Sequence, residues 1–167
     1  MESTKFSELC KAYAKAQDDF KGFQEKCYNF SLEMVNELKA YYKIPESQFS
    51  LFKIGEKNDF KLVQPAVINA LTLRQDSMWQ FGIGLNLCKA PESLSHELIL
   101  IHILVRKDLE GNFYLKYANQ EEEFKITGEK KRDFIPFFDY LHKTIIDIYE
   151  QQLTHFIGND TKRKIGY

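Results

Sequence analysis

Three residues in the second half of the chain are the types that metal-assisted hydrolysis uses. Asp108 precedes a hairpin, and Glu123 and Lys125 follow it with one residue between them. Carboxylate oxygens are the natural ligands of Mg²⁺, and a nearby ammonium can help activate a water. In a strand, residues two apart share a face, so Glu123 and Lys125 would point the same way. The histidines do not form a comparable set. His96 and His102 share a strand face but stand about 20 Å apart. His142 and His155 fall on different sides of a helix. There is no CxxC or HxxxH spacing, which argues against structural zinc. His102, alone in an apolar strand, reads as a core histidine satisfied by a neighbour.

The order Asp, then Glu-x-Lys on a following strand, resembles the PD-(D/E)xK nuclease superfamily. The resemblance covers Asp108, Glu123 and Lys125 only. It implies Mg²⁺ held by the two acids, with the lysine beside the attacking water. Here Asp108 falls in a hairpin turn and Glu121, Glu122 and Glu123 form an acidic run. The same residues therefore also read as a solvated hairpin end.

Two further constellations concern surfaces. In "FGIGLNL" (81–87), Gly82 and Gly84 alternate with apolar residues. A nucleotide loop needs GxGxxG leading into a helix. This is instead a strand with one bare face, where a helix, a ligand or another backbone can come close. The parity opposite the core also gathers Arg74, Gly84, Asn86, His102, Arg106, Tyr114 and Lys116. Leu98, Leu100 and Leu104 are mixed among them. That face is too apolar for plain solvent and too polar for a deep core, so cover by a helix, a partner or an anionic ligand is expected. A single aromatic, Tyr114, is a poor base-stacking platform, and RNA binding is not expected. Cys27 and Cys88 read as small hydrophobes rather than nucleophiles.

These groups sit in an ordinary globular composition. The chain has 167 residues, 44% hydrophobic and 28% charged, with fourteen Phe and nine Tyr. One ring-rich core is expected. The net charge of −1 carries no global footprint for nucleic acid or anionic membrane. The longest apolar run, "LILIHILV" (98–105), is far short of the roughly 20 residues of a membrane helix. The start lacks a signal peptide pattern. Three cysteines, with Cys10 and Cys27 about 25 Å apart if they share one helix, fit a reducing cytoplasm. No cofactor is expected.

Periodicity divides the chain into helix, strands and helix. Residues 4–43 read as one long helix, capped by Thr4 or Ser3 and stopped by Pro45, with Gly22 marking a bend or close contact. Strands are expected over 48–54, 59–63, 66–75, 78–89, 96–107, 112–119 and, as a short last strand, 122–127. Asp76-Ser77 reads as a two-residue hairpin connection, and 90–95 as a loop or single turn. A closing helix is expected over 133–157, capped by Asp133 and stopped by Gly158. The fold class is α+β in two layers: an antiparallel sheet of five or six strands, with both long helices on one face. Residues 1–158 form the domain and 159–167 a basic polar tail. The element order is similar to that of type III secretion chaperones, which are small dimeric binding proteins; no motif accompanies the similarity.

In the first helix, Phe6, Leu9, Tyr13, Ala16, Phe20, Phe23, Cys27 and Phe30 alternate steps of three and four, the seam spacing of a coiled coil. Ring-filled layers, uncoded flanks and a break in the heptad at Glu37 point to docking on the protein's own sheet. About 60 Å of helix outruns a sheet under 30 Å wide, however. One or two turns at each end should overhang, bend at Gly22 or run along the closing helix. Phe6, Leu9 and Tyr13 are then the candidate interface of a homodimer. The expected function is a non-enzymatic protein-interaction module, with a Mg²⁺-dependent nuclease or a small-ligand binder on the Gly82/Gly84 face as alternatives.

Overall fold

The computed structural model describes residues 3–63, 67–90 and 96–157. Helix α1 runs Lys5–Tyr42 without interruption. Thr4 caps it, the Ser7 amide donating to Thr4 Oγ1 at 3.1 Å. It ends where Lys43 turns left-handed at φ 53° and donates to the Ala40 carbonyl. Gly22 has open space around it, so it marks no close contact. A 3₁₀ turn, Glu46–Gln48, leads into β1 (Phe49–Ile54) and β2 (Phe60–Val63). There follow α2 (Val67–Ala70), β3 (Thr72–Leu73), β4 (Trp79–Cys88), β5 (His96–Lys107), β6 (Phe113–Tyr117) and β7 (Glu123–Ile126). Helices α3 (Lys130–Glu150) and α4 (Gln152–Ile157) close the described chain.

The sheet is antiparallel, in the order β2-β1-β4-β5-β6-β7, with β3 a seventh strand beside β4. The strand expected over 66–75 is instead the turn of α2 followed by two-residue β3. The reason is competition for one edge. β1 occupies β4 from Gly82 to Leu85, leaving Gln80 and Trp79 for Thr72 and Leu73. Ala70 on α2 turns into the core instead. The β3–β4 connection is also longer than two residues. Arg74 donates to the Met78 carbonyl across it, and Ser77 takes the left-handed position that a three-residue hairpin loop requires.

One face of the sheet carries Trp79, Phe81, Ile83 and Leu85 beside Ile99, Ile101, Ile103 and Val105, with Leu115 and Tyr117. Helices α1 and α3 cover it, as the two-layer reading expects. They run side by side in the same direction, joined by Lys130 to Glu33 (2.9 Å) near one end and Tyr41 to Asp139 near the other. Helix α3 begins three residues earlier than expected, because Asp133 does not cap it. The Asp133 carboxylate reaches back to accept from the Thr127 amide (2.7 Å) and hydroxyl. Those bonds hold it below the usual carboxylate range and fasten the β7–α3 connection. Pro136 thus lies in the second turn, not the first. The helical run breaks at Gln151 before α4. Gly158, the tail over 159–167 and the loop over 91–95 lie outside the described residues.

Candidate functional site

The projecting part of α1 is the largest departure from a closed fold. Its first buried residue is Cys27. Phe23 packs on Trp79 at the end of the sheet, with ring centroids 6.2 Å apart. Before it, Phe6, Leu9, Tyr13 and Phe20 are 74%, 68%, 68% and 49% exposed. The overhang is therefore not shared between the two ends. It lies wholly at the N-terminal end and spans about 25 Å. The C-terminal end is held, Tyr41 against Phe138 and Tyr42 against His142. Cys10 is exposed on the free half. Cys27 is wholly buried, and burial pushes its thiol up to about 11, which suits a packing role rather than a nucleophile.

The second sheet face divides into two parts. β3 takes the edge of β4 beyond Gly82, and the β1–β2 hairpin brings the Phe52 and Phe60 rings over this face. The Phe60 ring comes within 2.8 Å, and Phe52 Cβ within 2.9 Å, of where a Cβ on Gly82 would stand. The Phe52 ring and Ser50 fill the same space above Gly84. The bare face anticipated in "FGIGLNL" is thus occupied by the protein's own rings. The cover is a hairpin, and no helix lies on this face among the described residues. A Gly84→Ala substitution is expected to cost about 1–3 kcal/mol by overpacking, since its Cβ would stand 2.5 Å from Phe52 Cε2 and Ser50 Oγ. Urea denaturation measures this, and an unchanged midpoint would mean that Phe52 swings clear.

Under the hairpin, His102 Nε2 lies 2.9 Å from Gln80 Oε1, and the Phe60 ring stands edge-on at 6.1 Å. Burial, then the charge of Arg74, lowers the His102 pKa to about 4, so the ring is neutral at pH 7. Arg74 itself pairs with Asp76 at 3.1 Å. Asn86 is half-buried further along β4.

At the other end of this face, two candidate sets meet. The Arg106 guanidinium lies 4.0 Å over the Tyr114 ring and forms an ion pair with Glu123. Tyr114 donates its hydroxyl proton to Asp108 Oδ2 at 3.1 Å. Asp108 also accepts from the Asn112 amide (2.8 Å) and side chain (3.3 Å), which closes the β5–β6 turn. Burial pushes the Asp108 carboxyl up, but these donors outweigh it and leave it below the usual range. Register sets Lys125 opposite Tyr114 and Glu123 opposite Lys116. The arrangement links Asp108, Tyr114, Arg106 and Glu123 in one row. Both carboxylates are engaged in it, one by a turn and one by an arginine. Among the described residues, no group of three or more His, Cys, Asp or Glu is placed to hold a metal ion.

Sequence reasoning missed Gln80 and Phe60, the neighbours that satisfy and cover His102. Gln80 shares parity with Gly82 and Gly84, and that was its only signal. Phe60 had none, since its reach depends on how the hairpin folds. No helix among the described residues is long and apolar enough to cross a membrane. Comparison with protein-family models, with curated proteins and with solved structures finds no match to this chain.

Proposed function

We propose that the protein is a non-enzymatic interaction module that associates with a second copy of itself through the free half of α1. The exposed row of Phe6, Leu9, Tyr13 and Phe20 carries this reading. At roughly 200 Å² for a large side chain, their exposed fractions amount to about 500 Å² per copy. Two copies would cover about 1,000 Å², the threshold of a specific interface. The three-four spacing of this row suits packing against another helix with the same spacing. Its flanks read Cys10, Gln17 and Gln24 on one side and Ala12, Asp19 and Lys26 on the other, with no row of one charge to repel a copy. The three free cysteines fit a reducing, cytoplasmic setting.

The alternatives ask more of the molecule. Mg²⁺-dependent hydrolysis at Asp108, Glu123 and Lys125 needs both carboxylates released from Tyr114, Asn112 and Arg106. A ligand on the Gly82/Gly84 face needs Phe52 and Phe60 to withdraw.

Light scattering with sedimentation velocity tests the proposal. Leu9→Glu combined with Tyr13→Glu should abolish this association. The melting free energy should change by no more than about 0.5 kcal/mol per site, because neither side chain packs within its own chain. If the variant associates as strongly as the wild type, the free half of α1 is not the interface. A wild type that stays monomeric at about 100 µM, hence binds itself by less than about 5.5 kcal/mol, removes the self-association reading.

A further inference from the structure

Strand β5 has twelve residues, but β6 accompanies only its second half. The β5–β6 register runs from Lys107↔Phe113 to Ile103↔Tyr117. One step beyond, the Ala118 amide donates to the His102 carbonyl at 3.0 Å. The chain then turns away, Gln120 donating back to Tyr117. On its other side β5 pairs with β4 from Val105↔Trp79 to His96↔Cys88. Among the described residues, Glu97 to Ile101 therefore has a partner strand on one side only.

The direction of the unused groups follows from the pairing. In an antiparallel ladder, alternate residues aim both N–H and C=O at the same side. His102 accepts from Ala118, and Asp108 donates to Asn112, so the even-numbered residues of β5 face β6. Leu98 and Leu100 thus aim an amide and a carbonyl each at the open side. The Leu98 side chain is 37% exposed. A sheet edge is commonly blunted by proline, lysine or a bulge. This stretch, "ELILI", has neither proline nor lysine, and its pairing with β4 is unbroken.

We infer that this stretch of β5 pairs with the same stretch of a second copy, antiparallel about a two-fold axis at Ile99. The segment His96-Glu97-Leu98-Ile99-Leu100-Ile101-His102 is nearly the same read in either direction. With the axis at Ile99, Leu98 meets the second copy's Leu100, and each pair exchanges two N–H···O bonds. The four outward groups of Leu98 and Leu100 in each copy are then used, and the chain before Glu97 stays outside the ladder, because Ala118 holds the place beside His102. This register also spans the whole open stretch. A register centred on Glu97 would set two carboxylates face to face, which is destabilising. The resulting sheet is continuous across both copies, with the helices on one side.

This surface is separate from the free half of α1. Phe23, where that half begins, lies by Trp79 and Lys107, at the far end of β4 and β5 from Leu98. Two self-pairing surfaces on one chain assemble beyond a dimer.

Residue-resolved hydrogen exchange on the full chain, followed across protein concentration, tests this. The Leu98 and Leu100 amides should slow on the order of 100-fold as the protein associates. They should also slow in the Leu9→Glu, Tyr13→Glu variant, which should sediment as a dimer. Leu98→Lys, and more sharply Leu100→Pro, should abolish that slowing. The Ile99 and Ile101 amides, paired with β4, should stay protected in Leu98→Lys. Combining Leu98→Lys with the α1 substitutions should give a monomer. Free exchange of Leu98 and Leu100 at every concentration would overturn the inference. So would equal protection of both amides in dilute monomer, which would mean that the edge is covered from within its own chain. If only the α1 reading fails, Leu9→Glu, Tyr13→Glu leaves the mass unchanged while the two amides still respond to concentration.

Discussion

Phe30→Ala should lower the free energy of unfolding by about 3–5 kcal/mol, a large part of the 5–15 kcal/mol that holds a typical domain together. Phe30 is 1% exposed. Its ring lies flat on Phe113, with centroids 4.1 Å apart and planes at 3°, and tilts against Phe134 at 5.6 Å. One side chain thus joins α1 to both β6 and α3. Removing it leaves a cavity bounded by three elements that cannot all close on it. Urea denaturation should show a lower midpoint with an unchanged slope. Phe6→Ala is the internal contrast, because that ring is 74% exposed. Under monomeric conditions its effect should stay within about 0.5 kcal/mol. If the two substitutions cost the same, Phe30 does not anchor the helix layer.

The second large effect is a dependence of stability on pH. The folded state holds His102 at a pKa near 4, against an ordinary value of 6.5. The unfolded chain therefore binds a proton that the folded chain refuses. The stability associated with a neutral His102 is complete above pH 6.5. It falls as the pH drops from 6.5 towards 4 and is lost below that. The whole loss amounts to about 3 kcal/mol. The charged groups near the ring act in the same direction, since Arg74 also opposes a second positive charge. His102→Gln can keep a hydrogen bond to Gln80 but cannot titrate. Its stability should be flatter between pH 4 and 6.5 than that of the wild type. Denaturation at pH 7 and at pH 4.5 measures the difference. Parallel losses in both proteins would assign the acid sensitivity to other groups.

Much of the fold was legible because it rests on local physics. The α1 boundaries follow from a threonine that caps and a proline that forbids continuation. The core faces of β4, β5 and β6 follow from a period of two. The differences arise where another segment, near or far, competes for the same group or edge. Residues 66–75 alternate like a strand, yet β1 already holds most of the β4 edge they would use. Asp133 has the chemistry of a helix cap, but Thr127 offers it two donors at once. Which groups Asp108 and Glu123 face, namely Asn112, Tyr114 and Arg106, likewise depends on the turn and register that surround them.

The sequence by itself determined the class of the protein, its long first helix, its antiparallel hairpins and the apolar row on α1. Periodicity and chain stiffness act within a few residues, and so can be read from them. Only the tertiary structure decided that the excess of α1 lies all at one end, that Phe60 and Phe52 fill the space above Gly82 and Gly84, and that among the described residues the first part of β5 has a partner strand on one side only. Each depends on where one element stops relative to another far away in the chain. The length of β5 is visible in sequence, but β6 stops short of the expected 112–119 at Tyr117, and which part of β5 it accompanies is a matter of register. Register is set by how side chains from the whole chain pack together.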